Sequence, residues 1–302
     1  MAIIEVRDLV KRYGDTTAVD GVSFSVEEGE IFGILGPNGA GKTTTVECIE
    51  GLRTRDGGSI SVLGHDPADD STELREVLGA QLQESQLPDK IKVREALELY
   101  SSFYRSPADW NRLLEILGLT EKRETQFRRL SGGQKQRLSI ALALIGTPKI
   151  AVLDELTTGL DPAARRDTWS LIENVRDSGV TILLVTHFME EAERLCDRLA
   201  VIDSGKVVAV DSPAGLVSTV DDEQRIRFRP SAPLDERLLL DLPDVCDVQR
   251  AGSHIVVTGN GNALNAVTSL LARKQIIAAE LRVEQASLDD AFLALTGRKI
   301  DN

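Results

Sequence analysis

No stretch of this 302-residue chain is apolar for long enough to cross a membrane. The longest runs, IALALIG at 140–146 and TILLV at 181–185, stop far short of the roughly 18–20 residues that a span requires. The N-terminal MAIIEVRDLVKRYG mixes acids with bases and has no apolar signal core, which argues against a secretory leader and implies a cytoplasmic address. Cysteine is scarce: Cys48, Cys196 and Cys246 are odd in number, scattered and without CxxC spacing, so neither a disulfide framework nor a zinc site is expected. Positive charge is in the minority, 35 Lys and Arg against 48 Asp and Glu. The net charge of −13, with no local basic stripe, argues against a nucleic-acid partner. No internal repeat or low-complexity tract is present.

What the chain does have is enough apolar sequence, 42%, to build real cores over one large and one smaller domain. EEGEIFGILGPNGAGKTTTVECIEGL reads as a strand over 31–35, a Gly-rich turn, and a helix opening near Lys42 and ending at Gly51. IAVLD at 150–154 and TILLVTH at 181–187 are further buried strands, with the helical ARRDTWSLIENVRDSG between them. That alternation predicts an α/β core around a parallel sheet. Between about 85 and 149 the pattern turns helical, as in VREALELYSSFY and DWNRLLEILGL, and predicts an inserted helical subdomain. The first domain is expected over 1–220. Beyond it, over 221–302, strand, helix, hairpin, helix and strand signals follow in the order βαββαβ. They run through RIRFR, LDERLLLDL, VCDVQR and HIVVTG, NALNAVTSLLARK and IIAAELRVE. This is a small ferredoxin-like unit closed by a last helix at SLDDAFLALTG.

GPNGAGKTT, 36–44, fits GxxxxGK[ST] with Gly36, Gly41, Lys42 and Thr43. Glycines let successive backbone N–H groups converge on phosphate oxygens, and the following helix aims its positive end at them. The stretch from Gly36 through Pro37, Asn38, Gly39, Ala40 and Gly41 to Lys42, Thr43 and Thr44 is therefore a candidate phosphate cradle. In it Lys42 would bridge the β- and γ-phosphates and Thr43 would complete an Mg²⁺ shell. A second helix start with accessible amides is LSGGQ, with Ser131, Gly132, Gly133 and Gln134.

Together these motifs strongly resemble the nucleotide-binding subunits of the ATP-binding cassette (ABC) superfamily, a P-loop NTPase fold in which LSGGQ is the signature. The resemblance covers residues 1 to about 220 and implies ATP and Mg²⁺ as ligands. It implies that Asp154, at the end of IAVLD, holds the metal and that Glu155 polarises the attacking water. His187 fits the switch histidine, Asp161 the residue linking two nucleotide sites, and Tyr13 the aromatic on which adenine stacks. Gln83 fits the nucleotide-sensing glutamine that also meets the metal and the membrane partner, with Gln81 two residues earlier as the alternative. Leu156 stands where the family most often has proline, which leaves the reacting groups in place but alters the loop. His65 and His254 have no metal-ligand spacing and read as structural.

The tail, ending in VEQASLDDAFLALTGR, narrows the likeness to drug-resistance ATPases of the daunorubicin-exporter type. By that resemblance the chain is expected to be an ATPase subunit that forms a head-to-tail homodimer around two ATP. It would drive a separately encoded transmembrane permease, and it would sit peripherally on the inner face of the membrane. Two alternatives remain: an import-system cassette, and a cassette ATPase without a membrane partner. Repair-type cassettes insert long coiled coils between the first loop and the signature, whereas fewer than ninety residues separate Lys42 from Leu130 here.

Overall fold

The computed structural model describes residues 2–69, 72–81, 87–219, 224–284 and 286–297. The chain divides between residues 213 and 214 into two compact units. In chain order the first contains β1 (Ala2–Tyr13), β2 (Thr16–Glu27), β3 (Ile31–Leu35), α1 (Lys42–Ile49), β4 (Gly57–Val62), α2 (Thr72–Val77) and β5 (Leu78–Gln81). It continues with α3 (Val93–Ser101), α4 (Trp110–Ile116), α5 (Gly132–Leu144), β6 (Ile150–Asp154), α6 (Pro162–Asp177), β7 (Thr181–Thr186), α7 (Met189–Leu195), β8 (Arg198–Asp203) and β9 (Lys206–Asp211).

The central sheet runs β5-β6-β7-β3-β8-β9, parallel except for the last strand. Every residue of β3, β6 and β7 is buried, which is why these strands read as unbroken apolar runs: a sheet covered on both faces has no polar side to encode. The edge strand β9 carries no fully buried residue. A second, antiparallel sheet, β2-β1-β4, shares one core with it. Ile4, Val6, Val22 and Val62 join Phe32, Ile34, Val152 and Val185 there, with Val46 and Ile49 of α1 in the same cluster. Phe24 of β2 stacks on Phe32 of β3, centroids 5.3 Å apart. The helices predicted between about 85 and 149 are α3, α4 and α5.

Residues 213–218 form α8 (Pro213–Ser218). The second unit then runs β10 (Gln224–Pro230), α9 (Arg237–Leu240), β11 (Val245–Ala251), β12 (His254–Gly259), α10 (Ala263–Arg273), β13 (Ala278–Glu284) and α11 (Leu288–Thr296). Its antiparallel sheet has the order β11-β12-β10-β13, the ferredoxin-like order that the βαββαβ pattern predicts. The first helix is shorter than LDERLLLDL suggests, a single turn, since Pro243 disfavours helical geometry at the residue before it. Ile226, Phe228, Ile255 and Val257 alternate inward against Leu239, Val267 and Leu271. Phe228 is fully buried at the centre of this small core, so Phe228→Ala should cost about 3–5 kcal/mol. Denaturant-dependent hydrogen exchange of the β10 and β12 amides is the check. Protection unchanged from the wild type would show that the cluster does not hold this unit together.

Candidate functional site

Three parallel neighbours, β6, β7 and β3, end on the same sheet edge. Asp154 pairs with Val185, and Thr186 pairs with Leu35. The residues that follow these strands, Glu155, His187 and Gly36, are therefore brought together by register alone, at the carboxyl edge where open α/β sheets bind ligands.

After Leu35 the chain turns tightly. A Cβ on Gly36 would lie 2.2 Å from the Ile202 carbonyl oxygen. One on Gly41, which has φ +99°, would lie 2.4 Å from that of Ala18, so only glycine fits either position. Gly41 ends the loop, and Thr45 donates the first bond of α1 to its carbonyl at 2.9 Å. The amides of Lys42, Thr43 and Thr44 precede that bond and point out of the helix start. Lys42 is 4% exposed. Its ammonium donates to the carbonyls of Gly36 at 2.8 Å and Pro37 at 3.1 Å. Burial lowers its pKa, while the charges of Glu155 and Asp154 oppose the shift.

Asp154 is 6% exposed, and burial, then the neighbouring Glu155, pushes its carboxyl up to about 6 against the pull of Lys42. Its Oδ1 is buried without a hydrogen-bond partner. Glu155 adopts φ +48°, an unusual conformation for a side chain of this size, and its amide still bonds to the Val185 carbonyl at 2.9 Å. Its Oε1 lies 3.2 Å from Nδ1 of His187, and both side chains are largely buried. Leu156 is wholly buried and its carbonyl accepts from Gln136, so the residue in the usual proline position packs inward.

Gln81 ends β5 beside Leu153 and is buried, with its Oε1 accepting from the Asp154 amide at 3.2 Å. Gln83, preferred on the sequence, lies outside the described residues. Glu50 just beyond α1 is a carboxyl the motifs did not reveal: burial, then Asp154 and Glu47, pushes it up to about 8. Its only sequence signal was an acid inside the apolar CIEGL. Glu50 and Gln81 line a groove of about 470 Å³ with Leu52, Leu74, Tyr100 and Phe103.

Ser131 caps α5: its hydroxyl accepts from the Gln134 amide at 3.3 Å, and the Gln134 side chain accepts from the Ser131 amide at 3.0 Å. Asp161 caps α6 by accepting from Ala163 and Ala164, both at 3.0 Å, and these amides lower its pKa. The two caps, with Gly132 and Gly133, line one cleft of about 250 Å³, and no residue of the 36–44 loop is in its lining. Tyr13, on β1, is 42% exposed, with Lys11 and Arg53 over its ring at 5.7 and 5.2 Å. His254 instead meets Glu280 at 3.0 Å in the second unit. Among the described residues no helix is long and apolar enough to cross a membrane. Nor do three or more His, Cys, Asp or Glu among them gather to hold a metal unaided.

Residues 19–158 match the family model described as ABC transporter. The Nod factor export ATP-binding protein I of Ralstonia nicotianae is 38% identical over 313 aligned residues, covering 99% of this chain and 95% of that protein. The linearmycin resistance ATP-binding protein LnrL of Bacillus subtilis is 32% identical, covering 99% of each. Among solved structures, the ATP-binding subunit of an ABC transporter superimposes with a TM-score of 0.65 at 30% identity, covering 72% of this chain and 92% of that one. A dimeric, post-hydrolysis ATP-binding cassette, MJ0796 bound to ADP and phosphate, does so at 0.62 and 25%, covering 69% and 98%.

The Asp154 carboxyl yields a stability test. Its folded pKa of about 6 lies above the ordinary 3.8, so the folded chain binds this proton more tightly than the unfolded one. The resulting stability is complete below about pH 4 and lost as pH rises through about 6. Asp154→Asn should therefore stabilise the ligand-free chain at pH 8 by about 3 kcal/mol and do nothing near pH 3.5. Urea midpoints at the two pH values measure this, and a destabilised variant at pH 8 would contradict it.

Proposed function

Since the chain belongs to the ABC transporter family and is an ATP-binding ATPase subunit, we propose that it powers export through a separate membrane permease. The observation that carries this reading is the convergence of Lys42, Asp154, Glu155 and His187 on one sheet edge. The names of the full-length relatives, Nod factor export and linearmycin resistance, support the direction. A drug-like or lipid-like molecule is the corresponding substrate class.

In this reading the loop from Gly36 through Pro37, Asn38, Gly39, Ala40 and Gly41 cradles the ATP phosphates with the amides of Lys42, Thr43 and Thr44. Tyr13 offers its ring to adenine. On reaching the β- and γ-phosphates, Lys42 exchanges the loop carbonyls for phosphate oxygens. Mg²⁺ fits the orphaned Oδ1 of Asp154 together with the exposed Thr43 hydroxyl, and Gln81 stands beside Asp154. When bound it would neutralise charge between the phosphates. Glu155 accepts the proton of the attacking water, and His187, against the same carboxylate, fixes its orientation and reaches the γ-phosphate.

Ser131, Gly132, Gly133 and Gln134 open onto a cleft without the loop, an arrangement suited to meeting the ATP of a second copy. A head-to-tail homodimer with Asp161 at the junction follows, and the dimeric cassette among the similar structures supports it. The groove at Gln81 and Glu50 is the face offered to the permease, which would hold the subunit on the inner face of the membrane. Removing the base should leave binding intact while stopping turnover. Glu155→Gln is expected to lower ATP hydrolysis about 10²–10⁴-fold and to accumulate as an ATP-dependent dimer. Steady-state hydrolysis and light scattering with MgATP test this. Wild-type turnover in the variant would remove Glu155 from the reaction.

A further inference from the structure

His187 is held from two sides. At its edge Nδ1 meets the Glu155 carboxylate at 3.2 Å, and against its face lies the ring of Phe188, with centroids 4.1 Å apart and planes tilted by 39°. The torsion that turns an imidazole has a broad well, so one hydrogen bond fixes a point of the ring and the aromatic contact fixes its plane. Phe188 in turn is half-buried at the start of α7, and the guanidinium of Arg165, on α6, stands 4.4 Å from its ring centroid. Among the described residues no hydrogen bond reaches Nε of Arg165, although that atom is buried. An arginine nitrogen without an acceptor is costly to bury, and the face of the Phe188 ring is what offsets the cost here. One turn further along α6, Trp169 donates from Nε1 to Oε1 of Glu191 at 2.9 Å, with both residues buried. The segment after β7 is therefore gripped by α6 at two points, Phe188 and Glu191.

We propose that Arg165 and Phe188 are positioning residues of the hydrolysis site: Arg165 pins the Phe188 ring, and the ring sets the plane in which His187 faces Glu155 and reaches the γ-phosphate. This rests on the reading that His187 takes part in hydrolysis. With Phe188 released, the imidazole turns away from the carboxylate, and Nε2, across the ring from Nδ1, loses its aim. Neither residue belongs to the 36–44 loop, so the pair acts on turnover and leaves ATP binding alone. The fold survives its loss, since Trp169 and Glu191 still join α6 to α7.

The test is kinetic and spectroscopic, on the full chain. Arg165→Met keeps the length of the side chain and removes its charge, while Phe188→Leu keeps the apolar volume and removes the ring. Each should lower kcat for ATP hydrolysis about 3–10-fold with KM for ATP unchanged, the effect of losing one cation–π contact. The double variant should be no slower than either single one, and Phe188→Tyr, which restores a ring, should stay within about twofold of the wild type. Side-chain ¹⁵N spectra read the imidazole directly: in Arg165→Met the His187 signals should move while those of His65 and His254 stay. Thermal unfolding checks that each variant is folded. Lowered stability with kcat and the His187 signals as in the wild type would overturn the proposal, leaving Arg165 a packing residue. Losses that multiply in the double variant would overturn it too, because the two residues would then act separately. His187→Ala, assayed beside them, separates the inference from its premise. Wild-type turnover there removes His187 from the reaction and the role of Arg165 with it, whereas slow turnover there beside normal turnover in Arg165→Met strikes the inference alone.

Discussion

The structure turns on a lysine held out of water. Burial lowers the pKa of Lys42, and against that two carboxylates, Glu155 and Asp154, favour its charged form while two loop carbonyls accept from its ammonium. Those conditions dictate much else. The carbonyls belong to Gly36 and Pro37, so the loop must curl tightly, and it can do so only where Gly36 and Gly41 approach the backbone of Ile202 and Ala18. The carboxylates must come from a neighbouring strand that ends at the same level, which parallel β3, β7 and β6 provide. Lys42, Asp154 and Glu155 are each costly alone in such a place, and their arrangement is suited to a polyanion with its cation.

Much of this was legible in the sequence because chemistry and burial coincide there. IFGIL, IAVLD and TILLVT are fully buried strands, hence continuous apolar runs, and the residues after them are the ones that matter. The 36–44 loop and the Ser131 cap were readable because each needs particular residues at fixed spacing. The antiparallel sheet was not. β1 and β2 are twelve-residue strands with one face outside, and shifts of register within their pairing break the alternation that would reveal them. β5 is four residues, LGAQ, with a glycine inside, and without that strand nothing in the sequence distinguishes Gln81 from Gln83. Glu50 was illegible for another reason: its surroundings come from α2, α3, β5 and α5, far apart in the chain.

The second unit was read more successfully than its chemistry. Its βαββαβ order and inward alternation follow from local pattern, and the strand order confirms the topology. His254, which the sequence left as a structural residue, has a structural partner in Glu280. Among its described residues the unit offers no counterpart to the orphaned oxygen of Asp154.

The central claim is that one phosphate cradle is built from two chains, the loop of one and the Ser131 cap of the other. The most direct measurement is ATP hydrolysis by an equimolar mixture of Lys42→Ala and Ser131→Arg chains. Each variant alone should be inactive, because every site in its dimer lacks one half. In the mixture, half of one chain meets half of the other in a single intact site, and hydrolysis should rise well above the sum of the two preparations. A mixture no more active than that sum would contradict the shared site.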